Sequence, residues 1–137
     1  MRSTLALNLR GLAANIVGVT DPLRDGVTDP LMAARALVLA DLQSCELADA
    51  QTVSALEESV AQRRWWVSHW PRGAEFVAGL VAQDVQDAII DRLGRWPVCH
   101  RCDDDDGHAL YIHPELGPDP HWVCEKSSTV IAPLGRL

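Results

Sequence analysis

The sequence has no run of about 18 uninterrupted apolar residues, so it offers no candidate membrane span. Its first ten residues have an apolar flavour, but Arg10 interrupts them before a secretory core forms. Lysine is almost missing: Lys126 is the single one among 12 basic side chains. Against these stand 19 carboxylates, for a net charge of −7 in 137 residues. Such a chain repels a phosphate backbone unless its arginines cluster, which disfavours nucleic acid as a partner. Cysteines number only four, and with no secretory leader in view the protein is expected in the cytoplasm. There, grouped thiols bind metal more often than one another. Also missing are a Gly-rich phosphate loop and a nucleophile set beside a base. What is present, 47% hydrophobic residues, suffices to build a core and argues against disorder throughout. The length suits one domain, or a small domain with an appendage, and excludes an enzyme with a separate cofactor domain.

The first 95 residues read as helices. Leu5, Leu9, Leu12 and Ile16 recur at helical spacing, with Gly18 as a stop. A short duplication comes next, Thr20-Asp21-Pro22-Leu23 and Thr28-Asp29-Pro30-Leu31. Each copy offers an Asp cap with Pro at the first helical position, so both read as helix starts. A second helix is predicted over 30–48, with Leu31, Ala34, Leu37, Val38 and Leu42 inward and Cys45 as a small buried hydrophobe. A third, over 51–68, carries Val53, Leu56, Val60 and Val67, with Ser54 and Glu57 as a capping box. Pro71 disfavours helical geometry at Trp70 and ends it. The fourth, over 72–95, steps through Val77, Val81, Val85, Ile89 and Leu93. Asp84, Asp87 and Asp91 lie on its opposite side, where a solvated face predicts the same spacing as an acid–base or metal constellation. Phe76 and Leu80 flank that acidic side and leave room there for a partner. The expected fold is therefore mainly α: a four-helix bundle-like domain over 1–95, followed by a small zinc-ribbon-like β module over 96–137.

That second unit holds the chemistry. Cys99 and Cys102 form a Cys-x-x-Cys turn, which wraps one side of a tetrahedral ion. Residues 109–113 and 121–125 alternate as strands, with Glu115–Pro120 as the turn between them. A hairpin centred near 116–117 sets Cys124 across from 108–110 and pairs His113 near His121 instead. At about 3.3 Å per residue His113 then lies too far up the ladder to share an ion with Cys124. The expected ligands are Cys99, Cys102, His108 and Cys124, a closed Cys3His set holding a structural zinc. A zinc ion contributes on the order of 10 kcal/mol to a unit this poor in large apolar side chains. Residues 127–132 are able to add a third strand. The Asp103–Asp106 run beside the ligands reads as a solvated loop rather than a second cation site.

The run Asp84-Val85-Gln86-Asp87-Ala88-Ile89-Ile90, then Trp96-Pro97-x-Cys99, His108-x-Leu110, Trp122-x-Cys124 and Gly135, resembles small proteins of actinobacteria and their phages. Their tails run Trp-Pro-x-Cys-Pro-x-His, His-Pro-Leu and Trp-x-Cys-Pro. The resemblance covers about the last 55 residues, implies a zinc-ribbon-like end and favours His108 over His113. Cys102 stands where a His is usual, and Ala109 and Glu125 each stand in place of Pro. The substitution at 102 keeps a metal ligand. No activity comes with the resemblance.

Three functions are compatible with these features. The first is a non-catalytic zinc-binding protein acting as a protein–protein interaction or assembly module, with its partner surface unassigned. The second is a nucleic-acid-associated regulator contacting through Arg63, Arg64 and Arg72. Against it, residues 97–137 hold seven acidic and three basic side chains, the reverse of what a nucleic-acid-gripping ribbon presents. The third is a metal-dependent hydrolase using the zinc or the Asp84, Asp87 and Asp91 face, for which no catalytic residue is identified. No membrane association is expected.

Overall fold

A computed structural model describes residues 29–102 and 107–137. Helix α1 spans Pro30–Ser44. Asp29 caps it, its carboxylate accepting the Leu31 N–H at 2.9 Å, and Pro30 needs no donor partner at the first position. The helix ends with Glu46 at φ 60°, and the Leu47 and Glu46 amides turn back to the carbonyls of Leu42 and Gln43. That is the closing pair of hydrogen bonds of a Schellman turn, formed here without glycine. Helix α2, Ala50–His69, is capped by Asp49, which accepts from the Thr52 N–H at 2.8 Å. The expected Ser54–Glu57 box is therefore not the start: the cap is Asp49, five residues earlier.

The break falls at Trp70, before Pro71, as the sequence requires. A 3-10 turn then runs over Pro71–Phe76 and leads into helix α3, Val77–Leu93. The tighter turn brings Gly73 under the rings of Trp66 and Trp70, where a Cβ would sit 2.6 Å from the Trp66 indole. Val77, Val81, Val85 and Ile89 form the buried stripe of α3, joined by Ala82.

After α3 come β1 (Leu110–His113), β2 (His121–Cys124) and β3 (Val130–Pro133), antiparallel in that order. Leu110 pairs with Cys124 and His113 with His121, so the hairpin turns about residue 117. Leu110 and Ile112 point inward while Tyr111 and His113 point out, the two-residue alternation of a half-covered strand.

The expected four-helix bundle does not form. Among the described residues there are three α-helices and a three-stranded antiparallel sheet. The predicted helix with Leu5, Leu9, Leu12 and Ile16, and the first Thr-Asp-Pro-Leu copy, lie outside the described residues. The apolar side of the helices is covered by the sheet: Leu110, Ile112, Trp122 and Leu134 share one buried cluster with Leu31, Val38, Leu56, Val81 and Ile89. Gly79 permits the approach, because a side chain there would meet Ile112 and the carbonyls of Glu115 and Pro114. Two further expectations change. Cys45 is exposed, because the buried stripe of α1 ends one turn earlier, at Leu42. Leu37 is 36% exposed, on the margin of the same stripe.

Helices and sheet are joined by a carboxylate. Asp41 lies on the buried stripe of α1 and is fully buried. It accepts three hydrogen bonds from the C-terminal segment: Trp122 Nε1–H at 2.7 Å, Gly135 N–H at 2.7 Å and Leu137 N–H at 2.8 Å. Bonds to a charged acceptor are worth about 1.5–3 kcal/mol each, and donors stranded in a core cost a comparable amount. Asp41→Ala is expected to destabilise the protein by about 3–5 kcal/mol, and Asp41→Asn, which offers an NH2 where a donor already points, by about 2–4 kcal/mol. Urea unfolding of the purified variants measures both.

Candidate metal centre

The segment after α3 is folded back onto β1. Val98 bridges to Ala109, the Cys99 N–H donates to the His108 carbonyl at 2.8 Å, and the Leu110 N–H donates to the Pro97 carbonyl at 2.8 Å. This short ladder fixes Cys99 beside His108. Gln86 on α3 secures it from the helical side, its amide donating to the carbonyls of Trp96 (2.9 Å) and Leu110 (3.0 Å). Across the hairpin, Cys124 is the partner of Leu110 and closes the other wall.

Four donor atoms converge as a result. The side-chain ligand atoms of Cys99, Cys102, His108 and Cys124 all lie within 4.8 Å of one another. Cys102 Sγ is 3.6 Å from Cys124 Sγ, and His108 Nε2 is 3.1 Å from the same sulfur. A tetrahedral ion with bonds of about 2.0–2.3 Å separates neighbouring ligands by roughly 3.3–3.8 Å, so four donors this close together could hold one four-coordinate metal. Cys99, His108 and Cys124 are buried and Cys102 is half-buried. His113 is exposed at the far end of β1, three residues or roughly 10 Å along the strand from Leu110.

The electrostatics suit a cation. After β2 the chain turns tightly, with the Ser128 N–H on the Cys124 carbonyl and the Ser127 N–H 3.4 Å from the Cys124 sulfur. Hydrogen bonds from the Ser127 hydroxyl and amide, aided by His108 and the Lys126 amide, draw the Cys124 thiol down to about 5. Hydrogen bonding to Cys124, with burial and the nearby Cys99, pushes Cys102 up to about 11. The sulfurs thus compete for negative charge until a positive ion is shared among them.

Other candidate residues are drawn apart from this centre. Asp84 is half-buried and bound by Arg63 in a two-point ion pair at 2.6 and 2.9 Å, while Asp87 and Asp91 are exposed. The Arg63 guanidinium also stacks 5.3 Å over the Trp66 ring. Arg64 pairs with Asp29 at 2.9 Å, and Arg72 is exposed in the 3-10 turn. The Asp103–Asp106 run lies outside the described residues. Sequence reasoning missed Asp41 and Gln86. The signal for Asp41 was its place: it stands ten residues after Leu31 and three after Val38, on the apolar stripe itself.

The fold and cluster define a small protein of helices under an antiparallel sheet, carrying a Cys3His set able to hold a metal ion. The chain belongs to a family described as a domain of unknown function (DUF8819), which matches residues 27–134 and takes in all three helices and all three strands. No curated protein and no solved structure matches it significantly.

The geometry makes two outcomes testable. His108→Ala is expected to lower the bound metal well below one ion per chain, while His113→Ala leaves it unchanged, as read by elemental analysis. Adding a divalent thiophilic ion to metal-free protein at pH 7 is expected to release protons, because Cys102 is a thiol at that pH and must bind as thiolate. A pH indicator in weak buffer reads the release.

Proposed function

We propose that this chain is a non-catalytic zinc protein, in which the metal stabilises the C-terminal sheet and the whole serves as a protein–protein interaction or assembly module. The observation that carries the reading is the ligand set itself, three sulfurs and one imidazole whose donor atoms lie within 4.8 Å of one another. Four protein ligands fill a tetrahedral ion and leave no position for a water to be activated, which is the pattern of a structural site. Soft thiolates with one imidazole select zinc over magnesium, calcium or manganese. In this reading residues 96–137 act as the zinc-ribbon-like unit, docked on the helices through Asp41 and Trp122.

A role in binding another protein is supported by the surface at the end of α2. Trp65 is 65% exposed and packs at a tilt against His69, with ring centres 4.3 Å apart, and Trp70 is also exposed. Large aromatic side chains left in solvent are the residues that most often anchor protein interfaces. Two of the three nearby arginines are paired with carboxylates of this chain, Arg63 with Asp84 and Arg64 with Asp29, which leaves Arg72 as the exposed one and favours a protein partner over a phosphate backbone. No helix among the described residues is long and apolar enough to cross a membrane.

Elemental analysis of purified protein is expected to give about one zinc per chain, and none for Cys99→Ser or Cys124→Ser. A strong chelator is expected to unfold the sheet and to lower the thermal midpoint sharply. Full zinc retention in the doubly substituted Cys99→Ser/Cys102→Ser protein would reject the site.

A further inference from the structure

A cavity of about 600 Å³ opens where the helices meet the turn of the β-hairpin. Its walls are apolar: Leu37 of α1, Ala78 of α3, and Pro118, Pro120, Pro133 and Leu134 from the sheet. Three of these are prolines, which hold their shape and have no N–H to offer a ligand. The polar side chains in the lining are Glu75, Asp119 and His121.

Each of those three presents acceptors. Glu75 and Asp119 are exposed carboxylates, and among the described residues neither is engaged in an ion pair. His121 Nδ1 lies 2.7 Å from the Asp119 carbonyl oxygen. A carbonyl only accepts, so Nδ1 carries the proton, and in the neutral ring Nε2 is left as an acceptor. Among the described residues, no lysine or arginine lines the cavity. An apolar well whose polar side chains, among the described residues, are two carboxylates and an imidazole acceptor is complementary to a group with an apolar stem and a donating tip that carries positive charge. Among side chains those are lysine and arginine, whose methylene stems bury while the charged head stays at the rim.

We propose that this cavity receives a lysine or arginine side chain from a segment of a partner protein, flanked there by apolar residues. The inference rests on the reading of the chain as an interaction module and assigns that module a recognition site. The volume holds a long side chain with part of its neighbours, while Glu75 from the helical side and Asp119 from the hairpin turn flank the charged head.

The test is an amide NMR titration of the full chain, purified with its metal, against capped Leu-Lys-Leu and Leu-Arg-Leu peptides. Leu-norleucine-Leu, Leu-Glu-Leu and n-butylammonium serve as the comparison probes. Saturable shifts at Leu37, Ala78, His121 and Leu134 with the two basic peptides are expected. The Glu75→Gln/Asp119→Asn protein is expected to bind them roughly tenfold more weakly, while Glu58→Gln, on α2 and outside the cavity lining, binds as the parent does. Absence of saturable shifts overturns the proposal, as does equal binding of the norleucine or glutamate peptide. Binding of n-butylammonium as tight as that of the peptides also overturns it, because the site then takes a free amine. Metal content measured on the same samples separates the two readings: full metal without peptide binding defeats this inference and leaves the zinc assignment standing.

Discussion

A single buried carboxylate decides where the C-terminal third of this protein sits. Asp41 costs desolvation energy inside the core, and only the three N–H groups brought by Trp122, Gly135 and Leu137 offset it. Without the sheet in place, α1 would carry an acid at the end of its apolar stripe, beside Leu42. Without the acid, the indole N–H and two backbone amides would have no acceptor. The polar requirement of each layer is met only by the other. This makes the docking directional in a way that apolar contact alone does not.

The same strand links that anchor to the metal centre. Trp122 and Cys124 are two residues apart on β2, so both side chains are carried inward on the same face of the sheet. Trp122 meets Trp96 edge to face, with ring centres 5.4 Å apart, and Trp96 leads directly into the ligand turn through Pro97 and Val98. Gln86 then ties the carbonyls of Trp96 and Leu110 to α3. The four donors are therefore held by supports from the helices, from the hairpin and from the tight turn after Cys124. A loosely tethered loop could not keep four ligand atoms within one coordination sphere.

Much of the local structure was legible in the chain. Asp29-Pro30 marked a helix start, Trp70-Pro71 an end, and the four-residue steps of Val77, Val81, Val85 and Ile89 a buried face. The Glu115–Pro120 turn placed Cys124 across from residues 108–110, a range that holds the observed partner Leu110, and with it came the choice of His108 over His113 as neighbour of Cys124. The tertiary arrangement was not legible. Periodicity shows which face of an element is apolar and says nothing about what covers it, so helices were expected to cover helices. Asp41 was overlooked for a related reason: a carboxylate reads as solvent-facing until its donors are known, and these lie 81 to 96 residues further along.

Those separations have a kinetic meaning. Contacts between residues so far apart form late, since the loop they close must be ordered before the contact gives any return. On the ribosome the helices emerge first, with Asp41 still hydrated. They have no partners for the Asp41 carboxylate until Trp122, Gly135 and Leu137 reach it. Closure of the core around Asp41 thus depends on donors from far along the chain, and loss of Gly135 and Leu137 would leave the carboxylate with the Trp122 indole as its remaining partner of the three.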